Sequence, residues 1–123
     1  LGTNDTATIA VGSPVGAEDR IEEMMDAIGD QPVMWVDTVS LVSAGEYASE
    51  RMQRWNRALL AACPAHPNMR VFDWAGMAKR DWFIEDGLHY TSPGYVAKTR
   101  AIAQGLVHAF PQGLPASADC VVK

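Results

Sequence analysis

The stretch Pro32-Val33-Met34-Trp35-Val36-Asp37-Thr38-Val39 decides how this 123-residue chain is read. It is a continuous apolar run of strand length, rich in β-branched and aromatic residues. No polar residue alternates through its first half, so it reads as a strand buried on both faces. On its N-terminal side, Gly16 opens a helix pattern. Glu18 and Asp19 lie in the first turn, Ala17, Ile21, Met24, Met25 and Ile28 form the apolar stripe, and Gly29 is the stop. On its C-terminal side, Ala48, Met52, Trp55, Leu59 and Ala62 recur at spacings of four and three, with arginines on the outer side. A Pro-rich turn, Cys63–Pro67, ends that helix, and Asn68–Trp74 is a second strand candidate.

The alternation continues to both ends. Thr8–Val11 is a short β-like run broken by Gly12-Ser13-Pro14. Thr91-Ser92-Pro93 offers a hydroxyl cap and a proline at the first position of a last helix. Its expected inner face is Tyr95, Val96, Thr99, Ile102, Ala103 and Leu106, and residues 112–123 read as an extended tail. Helix and strand in alternation mean an α/β fold with a parallel sheet and crossover helices. Two strands are too few, because a doubly wound sheet needs about four to six. The expectation is therefore that residues 1–110 are the C-terminal part of a domain, completed by further strands from elsewhere, and that residues 111–123 are a tail.

Composition removes several classes of function. A formal charge of -5 and a pI near 5.0 argue against a nucleic-acid footprint or a polybasic membrane contact. No apolar run approaches the ~20 residues that span a bilayer. His66 and His108 have no carboxylate or cysteine at ligand spacing, so no metal site is expected. No phosphate-binding glycine loop is present, and no cofactor is expected. Trp35, Trp55, Trp74 and Trp82 read as core residues, the last two beside the loop described next. Cys63 and Cys120 are two buried thiols, a bridge to each other, or partners of cysteines outside these residues. The tail is too short and polar to bury itself, so a Cys63–Cys120 clip is the expectation, and a bridge implies an oxidising compartment.

The chemistry lies in Asp86-Gly87-Leu88-His89-Tyr90-Thr91-Ser92-Pro93. A carboxylate three residues before a histidine, in a glycine-bent loop, can hold one imidazole nitrogen and leave the other free as a general base. Loops at the carboxyl ends of strands are where open α/β sheets gather their sites. Gly2-Thr3-Asn4-Asp5 reads as a turn that offers amide and backbone N–H donors suited to an oxyanion.

Together these two motifs resemble the SGNH (GDSL-type) hydrolase superfamily. Gly2-x-Asn4-Asp5 is similar to its third sequence block, and Asp86-x-x-His89 to its last. Trp55-Asn56, Phe72-Asp73-Trp74, Trp82-Phe83 and Pro93-Gly94-Tyr95 also resemble SGNH domains of actinobacterial cell-envelope proteins, some of which are fused to membrane acyltransferases. The resemblance implies a flavodoxin-like three-layer α/β/α fold with a parallel sheet. It further implies a serine esterase that cleaves small O-acyl esters or O-acylated glycans through an acyl-enzyme, secreted or held in the cell envelope. His89 would be the base, Asp86 its orienter, and Asn4 an oxyanion donor. Gly2 would let the backbone approach the substrate, and Asp5 would shape the turn.

The nucleophile block and the second-block glycine do not occur here. Ser92 reads as a helix cap, while Ser13, Ser40, Ser43, Ser49 and Ser117 have no motif around them. The expectation is a preceding segment that carries the serine; a two-piece protein and a catalytically dead remnant are the alternatives. An O-acyltransferase would use the same site, and a non-catalytic binding module would keep the cleft without the nucleophile.

Overall fold

The computed structural model describes all residues from Leu1 to Lys123. In chain order the elements are α1 (Thr3–Ala10), α2 (Ala17–Ile28), β1 (Val33–Val36), α3 (Ser49–Ala62), β2 (Met69–Phe72), α4 (Trp74–Met77), α5 (Ser92–Ala109) and β3 (Val121–Val122). Short 3-10 turns occupy Cys63–Ala65 and Arg80–Trp82. The sheet is small and wholly parallel, in the order β1-β2-β3, with Val33 opposite Met69 and Val71 opposite Val121.

Strand periodicity divides the core between the two faces of the sheet. Trp35, Met69 and Val71 pack with Ile21, Met25, Trp55 and Leu59 from α2 and α3. Phe72 and Val122 pack with Trp74 and with Ala101 and Ala109 of α5, and Met34, Val36 and Ile102 join them. Trp35 and Trp55 meet at 6.4 Å, and Trp74 and Trp82 stack at 5.7 Å. Trp74 is fully buried, whereas Trp82 is half-buried.

Several features depart from the sequence reading. Thr8–Val11 is not strand: α1 runs through it, because the Gly2 carbonyl accepts from Thr6 and the helix continues for eight residues. The strand at 32–39 is only Val33–Val36, with Trp35 alone fully buried. Its outer edge is unpaired and borders an apolar groove of about 200 Å³ between Leu1, Met24, Ile28 and Met34. The tail supplies the third strand, since Val71 donates to the Cys120 carbonyl and Asp73 to that of Val122. The expected clip is present: Cys63 and Cys120 form a disulfide across 57 residues and fasten β3 beside β2.

The inner face of α5 is also rotated from expectation. Gly94, Ala101, Gly105 and Ala109 are buried, while Tyr95, Val96 and Leu106 are about half exposed. The helix lies so close to the sheet that a Cβ on Gly105 would sit 2.4 Å from Phe72 Cδ2. Only small residues fit that contact, and of the large apolar residues Ile102 alone is turned partly inward. The start of α5 is as read, with Thr91 Oγ1 accepting from the Gly94 amide. No helix is long and apolar enough to cross a membrane.

Candidate functional site

The carboxyl ends of β1 and β2 open toward three segments: the start of α1, the residues after β1, and the loop from Trp82 to Thr91. That loop is closed like a hairpin. Thr91 donates to the Trp82 carbonyl, Ile84 to that of His89, and Phe83 bridges Tyr90. Gly87 sits at φ 67°, left-handed backbone that favours glycine, and its carbonyl accepts from Leu41 at 2.7 Å. The loop is therefore pinned to the segment after β1.

Within it, Asp86 performs two tasks. Oδ1 accepts from the Leu88 and His89 amides at 2.8 and 2.9 Å, which fixes the carboxylate in an Asx turn. Oδ2 lies 2.6 Å from His89 Nδ1. The hydrogen bond from His89, with those two amides, holds the Asp86 carboxyl down at about 2. Asp86 is thus ionised at neutral pH and accepts from Nδ1–H. Nε2 has no protein partner.

Gly2 and Asn4 stand at the start of α1. Gly2 has φ 102°, and a Cβ there would lie 2.5 Å from Trp55 Nε1 and 2.7 Å from Thr38 Cγ2. Glycine is required at this position by packing and backbone alone. The Trp55 Nε1 donor is buried without a partner beneath it. Asp5 binds the turn together: its Oδ2 accepts from the Gly2 amide at 2.9 Å, and its Oδ1 pairs with Arg20 at 3.0 Å. The turn read at Gly2–Asp5 is therefore a helix start. Asn4 is exposed on its first turn, beside a shallow depression formed with Leu1, Gly2 and Thr3.

Asp86 and His89 are in direct contact; Asn4 lies on the first turn of α1, and no hydrogen bond joins it to either. A cavity of about 300 Å³ is walled by Thr3, Leu88 and Tyr90, while Asn4, Asp86 and His89 do not line it. Asp37, Thr38 and Lys98 add to its polar side, and Leu1, Val36, Val39 and Ile102 to its apolar side. Asn56 locks Thr38 in place, accepting from its amide at 2.8 Å and donating to its carbonyl at 2.7 Å.

Asp37 and Lys98 were not singled out in the sequence. Asp37 sits at the end of an apolar run and Lys98 in the middle of a helix, so neither belongs to a local motif. No serine hydroxyl bonds His89. Ser40 is buried and donates to the Tyr47 carbonyl at 2.6 Å, and Ser13 contacts Arg20 and Val15. No group of three or more His, Cys, Asp or Glu side chains is placed to hold a metal ion. No protein-family model, no curated protein and no solved structure matches the chain.

Proposed function

We propose that residues 1–123 carry the base-bearing part of an SGNH-type serine esterase acting on small O-acyl esters, with the nucleophilic serine contributed by sequence outside these residues. The 2.6 Å contact between Asp86 Oδ2 and His89 Nδ1 carries this reading, because it engages one imidazole nitrogen and leaves Nε2 without a protein partner, in a loop whose Leu88 and Tyr90 line the cavity. In this reading the small parallel sheet is part of a flavodoxin-like three-layer α/β/α domain, and the unpaired edge of β1 is where further strands would add. The disulfide supports an oxidising location, secreted or in the cell envelope.

In this reading the steps are those of a serine esterase. His89 Nε2 takes the serine proton as Oγ attacks the acyl carbonyl, and Asp86 stabilises the imidazolium without accepting its proton. The Asn4 side-chain amide donates to the tetrahedral oxyanion. Collapse breaks the ester C–O bond, His89 returns its proton to the departing alcohol, and the acyl group remains on serine. Water then repeats the sequence and releases the acid.

The test is labelling of the protein, with its natural flanking sequence, by a fluorophosphonate. One serine outside residues 1–123 should be modified, and His89→Ala should abolish the modification. A protein that neither labels nor hydrolyses a short-chain aryl acetate contradicts the proposal.

A further inference from the structure

The loop that carries His89 also carries the one Asp-Gly pair of these residues, Asp86-Gly87, and no Asn-Gly pair occurs. Glycine has no Cβ, so its amide nitrogen is unhindered and can attack the carboxyl carbon of the aspartate before it. The new N–C bond closes a five-membered succinimide, and the carboxyl oxygen leaves as water. A second water then opens the ring. Opening at the α-carbonyl breaks its bond to the Gly87 nitrogen and leaves Gly87 joined to the former side-chain carboxyl. The product is isoaspartate, with one extra methylene in the main chain and no net change in composition. Water is the only co-reactant.

The folded loop restrains each atom that this reaction uses. The Gly87 amide donates to the Ile84 carbonyl at 3.0 Å, which ties the attacking nitrogen into the turn. Asp86 Oδ1 accepts from the Leu88 and His89 amides at 2.8 and 2.9 Å, and Oδ2 meets His89 Nδ1 at 2.6 Å. A carboxyl group held on three donors is not free to rotate onto the Gly87 nitrogen. On the other side of that peptide, the Gly87 carbonyl accepts from Leu41 at 2.7 Å. The three donors also keep the carboxyl ionised, at about 2, whereas water leaves readily only from the protonated acid. The Asp86 side chain is 43% exposed, so hydrogen bonding and not burial supplies the restraint.

We propose that Asp86-Gly87 is a latent modification site, protected while the loop's hydrogen bonds are closed and converted to isoaspartate when the loop opens. Loops of this kind open locally more readily than the core. In isoaspartate the free carboxylate sits directly on Cα, one carbon shorter than before. It can no longer reach the Leu88 and His89 amides and His89 Nδ1 together. The chemical step stands without the esterase reading; the loss of turnover that follows from it rests on that reading.

The protein with its natural flanking sequence is incubated at mildly acid pH beside a synthetic peptide of residues 80–92. Isoaspartate at position 86 is then counted by electron-transfer mass spectrometry. The peptide should convert, and the folded protein should convert at least about tenfold more slowly, the factor that one unit of carboxyl pKa alone supplies. The same protein in denaturing urea should convert at the rate of the peptide. His89→Ala frees Oδ2 and should convert severalfold faster than the wild type while folded. Asp86→Glu, whose cyclisation needs a six-membered ring, is the blank. A peptide that stays aspartyl, or a folded protein that converts as fast as the peptide, overturns the proposal even if His89→Ala does not fold. Conversion in a protein without esterase activity would uphold the site and remove the esterase reading. Esterase activity with no isoaspartate in the peptide would do the reverse.

Discussion

Two histidines in this molecule meet a carboxylate, and the two contacts are built differently. His66 Nε2 lies 3.1 Å from both oxygens of Glu22 and ties the turn after α3 to α2. Its outward nitrogen is thereby occupied, and the contact joins residues 44 apart at the far end of β2 from the cavity. His89 is held through Nδ1 by a neighbour three residues away, whose carboxylate is itself fixed by two backbone amides. The same two chemical groups form a brace in one place and, in the proposed function, an oriented base in the other. The difference lies in which nitrogen is engaged and in what immobilises the acid.

Mutation should separate the pairs most sharply. In the protein with its flanking sequence, His89→Ala should lower kcat/KM for an aryl acetate by roughly 10⁴–10⁶-fold. His66→Ala should leave it unchanged and reduce stability by less than about 1 kcal/mol, as expected of a surface brace. Asp86→Asn keeps the shape but can hold the wrong tautomer, so a loss of about 10⁴-fold is expected with melting temperature retained. Loss of activity in both histidine variants would erase the distinction.

Asn4→Ala removes a donor and leaves the base, so it should cost roughly 10²–10³-fold in kcat with binding of substrate little altered. An Asn4→Ala enzyme with full turnover would place the oxyanion donors elsewhere.

The disulfide acts on folding and not on the pair. Closing a loop of 57 residues is worth about 4 kcal/mol in the chain-entropy limit. Cys63→Ser/Cys120→Ser should approach that loss in denaturant unfolding and should raise amide exchange at Val71 and Asp73, which bond to the tail. Unchanged exchange there would mean that β3 holds without its clip.

Acid should also distinguish Asp86 from Asp37. Asp86 has its folded pKa lowered to about 2, so its contribution to stability is present above the ordinary value of 3.8 and is lost as pH falls toward 2. Asp37 is raised to about 6, so its contribution is full below 3.8 and is lost as pH rises through 6. Asp37→Asn should remove the fall in stability between pH 3.8 and 6, and Asp86→Asn should flatten the limb below 3.8. Unfolding free energy measured against pH for the three proteins checks both signs.

The legible parts of the fold were those set by local rules. The stripe of α2 and its Gly29 stop, the Thr91 cap, and the Asp86–His89 loop were all readable because their determinants lie within a few residues. What escaped was set at long range. The strand in the tail is two valines whose pairing depends on β2 and the disulfide, with almost no signal of its own. Thr8–Val11 has strand propensity, yet the start of α1 at Gly2, braced by Asp5 and Arg20, carries it into helix. The face of α5 was misread because size, not hydrophobicity, decides which residues fit against Phe72. Asp37 and Lys98 are 61 residues apart, by 98 minus 37, and only the folded chain puts them on one wall.

The central claim is that Asp86 fixes the His89 proton on Nδ1 and leaves Nε2 as the base. Long-range ¹H–¹⁵N correlation spectra at a pH where the imidazoles are neutral observe this directly. The account predicts His89 with protonated Nδ1 and bare Nε2, and His66 in the opposite tautomer with its Nε2–H on Glu22. His89 found with its proton on Nε2 would contradict it.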